Sequence, residues 1–272
     1  MSEAIKVGAV VYAPQVTVVW EIISDFFAEE GQPLEMVYFK DYRAQVQALL
    51  AGEIDIAWNS PLAHVEATLR SKEVGYSAMR DTDRDRRSVY LAKTDSGINT
   101  VEDFRGKTIG FGAVDSPQAR LVPIADLLEK GLDLDNDYKE VTFDKDLGFD
   151  GDHVGGEHLA LDALKVGDVD VSVTTEGNYD EWVQDGSINE KEIKIVDKTG
   201  LYDHCIFTTR PNFPQETKEK WEAILEKMDY DNPKHKEMMD LEGLKKWVPG
   251  RTDYFALCEK GVARTDLFHL NH

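Results

Sequence analysis

The chain has 272 residues, of which 42% are hydrophobic and 10% aromatic, and this is enough for two globular domains of ordinary size. Its 52 acidic and 31 basic residues give a net charge of −21. A surface of that sign repels nucleic acid and anionic lipid, so no nucleic-acid partner is expected. No run approaches the length of about 18 apolar residues that a membrane span needs, so no transmembrane segment is expected.

Strands and helices alternate along the first third of the chain. Val19, Ile22 and Phe26 follow the spacing of a helix that faces a core. Short apolar runs between turn residues predict buried strands. The predicted strands are 5–11, 34–39, 54–58, 74–79 and 88–92, and the predicted helices are 16–30, 42–50 and 61–71. The β-α-β-α-β order is typical of a largely parallel sheet covered by helices.

The same alternation starts again near residue 93. The predicted strands are 108–111, 140–143, 169–173, 193–197 and 205–209, and the predicted helices are 116–131, 157–166, 178–184, 214–228, 234–246 and 254–261. The repetition predicts two α/β lobes with a cleft between them, followed by a helical tail.

Polar and aromatic side chains lie where the third predicted strand ends. Trp58, Asn59 and Ser60 come at its carboxyl end, and Tyr42 begins the helix before it. Ligands of open α/β sheets bind at such edges. These residues therefore predict a small-molecule site.

Five segments carry a family resemblance. In chain order they are DYRAQVQALLAGEIDIAWNSPLAHVEA (41–67), SVYLAKTDSGINTVEDFRGKTIGFG (88–112), ARLVP (119–123), VDVSVTTEGNYD (169–180) and WVPGRTDYFAL (247–257). Together they resemble the phosphonate- and phosphite-binding components of ABC importers, a branch of the type 2 periplasmic binding protein family. The resemblance covers nearly the whole chain. It implies a substrate-binding protein whose partners are a small-molecule ligand and the membrane subunits of an importer.

The same resemblance implies a domain organisation. The fold would be α/β, the two-lobed type 2 periplasmic binding protein fold, with two crossover segments and a ligand cleft between the lobes. One lobe would comprise residues 1–93 plus 199–272, and the other residues 94–198.

The resemblance also implies ligand residues. The matching positions are Tyr42, Ser116, Glu176 and Asp203, with His158 as a looser match. In the family, Ser116 begins a Ser-Thr-Ser-like run whose hydroxyls, with helix N–H groups, hold the phosphonate oxygens. Here the run reads Ser116-Pro117-Gln118, in which Pro117 has no N–H and Gln118 replaces a small hydroxyl.

These departures argue against a phosphonate, phosphite or phosphate ligand, although an arginine could replace the lost hydroxyl donors with a bidentate clamp. Glu176 and Asp203 suit an ammonium group of the ligand, and Trp58 suits a cation–π contact. Arg86, Arg87 or Arg120 would meet the anionic end of a zwitterion. Purely structural roles stay open for the same residues. The aromatic residues could belong to a hydrophobic core, and the arginines could belong to solvated charge runs. The candidate ligand-binding residues are Tyr42, Trp58, Asn59, Ser60, Arg87, Ser116, Gln118, Arg120, His158, Glu176 and Asp203.

A cytosolic enzyme of decarboxylase, hydrolase or biosynthetic type, or a sensor, is the alternative function for such a scaffold. Its candidate catalytic residues are Cys205, His158 and Glu176. Strand alternation is expected to turn Asp203 and Cys205 to one face and His204 to the other, so that Cys205 and His204 form no dyad. We favour the non-catalytic binding protein.

No cofactor and no metal site are predicted. The carboxylates of Asp144, Asp146, Asp150 and Asp152 alternate like calcium ligands, but no bidentate acid follows at the required spacing. Residues 153–158 are one residue longer than the H-x-x-E-H zinc pattern.

The amino terminus shows no export signal. Residues 1–14 contain no basic segment followed by an apolar one, no cleavage site and no lipobox cysteine. Taken as the natural start, Met1 predicts a cytoplasmic protein. If a leader was removed, the prediction becomes a periplasmic or cell-surface protein.

Overall fold

A computed structural model of the chain describes residues 3–11, 13–143 and 154–269. The chain divides into two compact units, Met1–Arg84 with Asp203–Asp253 and Asp85–Tyr202 with Tyr254–His272. The division differs from the lobes expected from the sequence, because residues 85–93, 199–202 and 254–272 belong to the second unit.

The strands are β1 (Ile5–Val10), β2 (Leu34–Phe39), β3 (Ile56–Asn59), β4 (Gly75–Tyr76), β5 (Ala78–Arg80), β6 (Ser88–Lys93), β7 (Thr108–Phe111), β8 (Lys139–Thr142), β9 (Val171–Thr175), β10 (Ile193–Lys198), β11 (Ile206–Thr209) and β12 (Trp247–Pro249). The α-helices are α1 (Gln15–Glu29), α2 (Tyr42–Leu50), α3 (Pro61–Arg70), α4 (Val122–Glu129), α5 (Val154–Val166), α6 (Glu176–Gln184), α7 (Gln215–Leu225), α8 (Pro233–Glu242) and α9 (Ala256–Thr265). None of the helices that the structure describes is long and apolar enough to span a bilayer.

The sheet of the first unit has the strand order β2-β1-β3-β11-β4. Strand β1 is parallel to β2 and β3, whereas β11 is antiparallel to β3. Helix caps fix the turns at its carboxyl edge, since Asp41 accepts a hydrogen bond from the Ala44 N–H and Ser60 accepts one from the Ala63 N–H. On one face of the sheet, Phe207 packs edge-on against Trp20 and Trp221.

The second unit repeats this pattern. Its sheet has the order β10-β6-β9-β7-β8, with β7 parallel to β8 and β9, and β6 antiparallel to β9. Along β6, Tyr90 belongs to one apolar cluster and Val89 and Leu91 to another. Because successive side chains of a strand point to opposite faces, both faces of this sheet are buried.

The last helix explains why the end of the chain belongs to the second unit. Helix α9 packs against α4 and against the π-helix Pro117–Leu121. The contact is so close that a Cβ atom at Gly261 would lie 2.1 Å from the Leu121 carbonyl oxygen. In the carboxyl-terminal part of the chain, residues 203–253 therefore belong to the first unit, and the helix that follows them belongs to the second.

The predicted helix 116–131 is divided into a π-helix and α4. Pro123 has no N–H to donate to the carbonyl oxygen of Ala119, four residues earlier. That oxygen instead accepts a hydrogen bond from the Gly112 N–H at 3.1 Å. The proline therefore frees a carbonyl that ties the helix start to the end of β7.

A buried histidine makes the stability of the first unit depend on pH. His64 in α3 is 2% exposed, and its Nδ1 lies 2.9 Å from the Thr208 hydroxyl. Burial lowers the pKa of His64 to about 4. The unfolded chain binds this proton at about pH 6.5, so the free energy of unfolding is expected to fall by about 3 kcal/mol as pH drops from about 6.5 to 4.

Urea unfolding of wild type and His64→Gln across that pH range measures this effect. The variant is expected to show a shallower pH slope, because glutamine does not titrate. His269→Gln, whose imidazole is 79% exposed, is the matched control and should keep the wild-type slope. A wild-type slope in His64→Gln would show that other groups dominate the pH dependence.

Candidate functional site

The carboxyl end of β3 carries a buried amide pair. Gln45 Nε2 donates to the Trp58 carbonyl and to Asn59 Oδ1, each at 2.8 Å. Both side chains are fully buried. Within the described residues Asn59 therefore joins α2 to β3, while Ser60 caps α3.

The two aromatic candidates of the first unit are also largely buried. Tyr42 is 9% exposed and packs among the apolar residues around α2. Trp58 packs against Phe207 with ring centroids 4.6 Å apart, and the Arg80 guanidinium lies 5.4 Å from its ring. The cation over Trp58 in this structure is therefore the chain's own arginine.

Asp203, the candidate for an ammonium contact, forms a bidentate ion pair with Arg251. Arg251 Nε and Nη2 donate to its two oxygens at 2.6 and 2.8 Å. The Asp203 side chain is fully buried, whereas that of Arg251 is 27% exposed. Arg251 is not among the candidate residues predicted from the sequence, although it lies inside the segment 247–257.

Arg80 is shared between two buried acids. It forms a fork with Asp83 at 2.6 and 2.9 Å, and its Nη1 lies 3.2 Å from Glu242. Burial opposes ionisation of Asp83, but the charge and hydrogen bonds of Arg80, with a contribution from His204, outweigh it and hold the pKa of this carboxyl well below its ordinary value. For Glu242 burial prevails over Arg80, and the pKa is raised.

His204 and Cys205 contact each other, so the expectation that they point apart is wrong. His204 Nδ1 lies 3.1 Å from Cys205 Sγ and 3.6 Å from Asp83 Oδ1. Strand alternation does not apply here, because β11 begins only at Ile206. All three side chains are buried.

In the second unit, Ser116 and Gln118 lie at the start of the π-helix. Ser116 is fully buried and caps the helix through the Ala119 N–H at 3.1 Å. Gln118 is 3% exposed, and its carbonyl accepts a hydrogen bond from the Ser88 hydroxyl at 2.6 Å. Its Nε2 lies 3.5 Å from Oε1 of Glu157. The second unit therefore places a carboxylate beside the Ser116–Gln118 segment.

Glu157 is the residue of this region that the sequence analysis missed. It is fully buried, and its Oε2 accepts hydrogen bonds from the Thr174 hydroxyl, the Thr175 N–H at 3.1 Å and Asn178 Nδ2 at 2.8 Å. His158, chosen instead, is exposed and stacks on Trp182 with centroids 4.3 Å apart. Neighbouring residues of a helix face different directions, so the inward side of α5 belongs to Glu157.

The other charged candidates of the second unit have partners in the same unit. Arg120 forms a fork with Glu140 at 2.8 and 2.7 Å. Arg87 donates to the Thr199 carbonyl at 2.6 Å, and Glu176 pairs with Lys198. Arg120 is thus directed to β8, while Ser116 and Gln118 lie beside Glu157. A ligand contact for any of these residues stays a prediction.

A family model described as "ABC transporter, phosphonate, periplasmic substrate-binding protein" matches residues 11–255. This chain belongs to that family. The family and the α/β fold of two-lobed periplasmic binding proteins, both expected from the sequence, are confirmed.

Two curated relatives are similar over much of this chain. It is 26% identical over 202 residues to the phosphate-import protein PhnD of Mycolicibacterium smegmatis, covering 72% of this chain and 62% of that protein. It is 25% identical over 236 residues to the phosphonates-binding periplasmic protein of Escherichia coli, covering 84% and 65%. The chain thus spans less than two thirds of the length of either relative.

A solved structure supports the fold. PhnD1 from Prochlorococcus marinus in complex with methylphosphonate matches with a TM-score of 0.66 at 16% identity, covering 97% of this chain and 98% of that one. At this identity the likeness concerns the fold alone.

The phosphonate-binding family name contrasts with the chemistry of this chain's second unit. Pro117 offers no N–H, Gln118 offers an amide in place of a hydroxyl, and Glu157 adds a carboxylate within 3.5 Å of that amide. The segment therefore includes a carboxylate, which the hydroxyl run expected for a phosphonate does not contain. The acidic segment that includes Asp144 and Asp152 lies outside the described residues.

Proposed function

We propose that this chain is the substrate-binding component of an ABC importer and that it binds a small polar ligand carrying a cationic group, as zwitterions do. The family match over residues 11–255 supports the importer role. The family description also supports membrane subunits of an importer as partners and a location outside the cytoplasmic membrane.

The inference that the ligand carries a cationic group rests on Glu157. Its carboxylate is fully buried and lies beside Gln118, close to the start of the π-helix. Two like charges 4 Å apart repel by about 4 kcal/mol at the effective dielectric of a protein surface. The charge of Glu157 therefore disfavours a phosphonate group at this place and favours an ammonium or guanidinium group.

Hydrogen bonds hold the Glu157 carboxylate in a fixed position. Its Oε2 is bonded to Thr174, Thr175 and Asn178, which lie at the end of β9 and the start of α6. Its Oε1 is the oxygen nearer Gln118. A carboxylate oriented in advance loses little entropy on binding, which favours affinity for a cation.

Two matched pairs of compounds test the proposal on the wild-type protein by thermal shift and calorimetry. 2-Aminoethylphosphonate differs from ethylphosphonate, and β-alanine from propionate, by an ammonium group. At least one ammonium-bearing member is expected to raise the melting temperature and to bind better than its partner. If ethylphosphonate binds as well as or better than 2-aminoethylphosphonate, the proposal of a cationic group on the ligand is overturned, while the binding-protein role remains intact.

The variant Glu157→Gln assigns the effect to one residue. It is expected to lower the affinity for the ammonium-bearing ligand roughly 10- to 100-fold, as the loss of a charge-assisted hydrogen bond predicts. It is also expected to raise the affinity for ethylphosphonate. Glu102→Gln removes the same charge from an exposed position of the same unit and should change neither affinity. Equal effects of both variants would contradict a specific role for Glu157.

The enzyme alternative needs Cys205, His158 and Glu176 to act together. The structure gives each of them other neighbours. Cys205 contacts His204, His158 stacks on Trp182, and Glu176 pairs with Lys198. The binding role is the function that the family match over residues 11–255 supports.

A further inference from the structure

We propose that Asp83, His204 and Cys205 form a binding site for a soft divalent metal ion of the zinc class. The three residues belong to the first unit and are 0%, 4% and 8% exposed. Each offers one ligand atom, and these atoms all lie within 4.8 Å of one another. This site is independent of the ligand chemistry of Glu157.

The distances suit a single ion. His204 Nδ1 lies 3.1 Å from Cys205 Sγ and 3.6 Å from Asp83 Oδ1. Zinc bonds of roughly 2.0–2.3 Å to nitrogen, oxygen and sulfur place tetrahedral ligand atoms roughly 3.3–3.7 Å apart. Small side-chain adjustments therefore bring all three atoms to an ion at their centre, with water as the fourth ligand.

The backbone holds these ligands in advance. The His204 N–H donates to the Asp83 carbonyl oxygen at 2.8 Å, which joins the two chain segments that carry the site. Cys205 is adjacent in sequence and directly precedes β11. An ion binding here has little chain to order, which favours affinity.

Arg80 orients the carboxylate. Its fork to Asp83 occupies one lone pair of each oxygen, and a carboxylate oxygen carries two. Hydrogen-bonded carboxylates of this kind are usual around metal ligands. The guanidinium also repels a metal ion, but Glu242, 3.2 Å from Arg80, offsets its charge.

The charge balance favours a divalent ion over a monovalent one. Asp83, Glu242 and Arg80 together carry one negative charge. Metal binding converts the Cys205 thiol to a thiolate, with the S–H proton released to solvent as the metal–sulfur bond forms. The two negative charges then match a divalent ion. Sulfur and imidazole ligands select zinc-class ions over magnesium and calcium, which prefer oxygen.

Cobalt titration of the metal-free, reduced full-length protein tests the site. Co²⁺ is expected to bind at one equivalent, with an intense thiolate-to-metal charge-transfer absorption and tetrahedral d–d bands. Zn²⁺ should displace it and remove both signals. Absence of the charge-transfer band at saturating Co²⁺ would overturn the proposal.

Variants assign the ligands. Cys205→Ser should abolish the charge-transfer band, and His204→Gln should weaken Co²⁺ binding at least tenfold, each judged on protein whose near-ultraviolet circular dichroism matches wild type. Cys258→Ser is the matched control, because Cys258 is a free and buried thiol of the second unit. A band that survives Cys205→Ser, or disappears in Cys258→Ser, would contradict the assignment.

Discussion

Replacing Arg80 by methionine is expected to destabilise the first unit by about 3–5 kcal/mol, the usual cost of removing one partner from a buried ion pair. The Arg80 side chain is 17% exposed, while those of Asp83 and Glu242 are 1% and 7% exposed. The variant leaves two acids buried without the cation they share. Because domains are stable by only about 5–15 kcal/mol, much of the stability would be lost.

The effect of Arg80→Met is expected to depend on pH. In wild type the pKa of Asp83 lies well below its ordinary value, so its stabilisation is present above about pH 4 and is lost as pH falls further. Without Arg80, burial raises the pKa of both acids in the folded state, and stability is lost as pH rises above about 4. The difference between the variant and wild type should therefore be largest near neutral pH.

Urea unfolding at pH 7 and pH 4 measures both expectations. Lys227→Met is the matched control, because its partner is Glu30 and the lysine is 58% exposed. Exposed pairs contribute only about 0–1 kcal/mol, so this control should unfold close to wild type. Similar losses in the two variants, or a loss for Arg80→Met that is independent of pH, would contradict a buried network centred on Arg80.

Local signals in the sequence located most of the fold. Helix α2 was predicted at residues 42–50 and is found at Tyr42–Leu50, because its apolar periodicity and its turn residues agree. Strand β12 was missed, since its pairing with β5 joins segments far apart in the chain. The sequence pattern of three residues gives no signal for such a pairing.

The candidate site was predicted less well, for a related reason. The positions of Ser116 and Gln118 at the start of a helix could be read from the chain, but the ion partners could not. Asp203 and Arg251 are 48 residues apart, and Arg80 and Glu242 are 162 apart. Which charge meets which depends on packing between distant segments, and no local spacing encodes it.

Glu157 shows the limit of matching positions to a family. Glu157 and His158 are adjacent in the sequence, and the resemblance implies His158 only as a looser match. A shift of one residue along a helix turns a side chain by about a quarter of a turn. The choice between them needed the position of α5 on the sheet of the second unit, where Glu157 reaches Thr174.

Replacing Arg251 by methionine is expected to cost about 3–5 kcal/mol, since it removes the bidentate partner of a fully buried carboxylate. The double variant Asp203→Asn, Arg251→Met should recover most of this loss, because it removes the buried charge as well. A double-mutant cycle by urea unfolding measures the coupling. Additive losses would contradict a direct interaction between the two side chains.

The same variant tests whether Asp203 contacts the ligand, as the sequence predicts. If an ammonium group of the ligand approaches Asp203, it will restore part of the charge that Arg251→Met removes. A saturating ammonium-bearing ligand should then raise the melting temperature of Arg251→Met more than that of wild type, because stabilisation by a ligand grows with its affinity for the folded state. An equal or smaller rise would restrict Asp203 to its structural pair with Arg251 and would leave Glu157 as the acid that attracts the ligand.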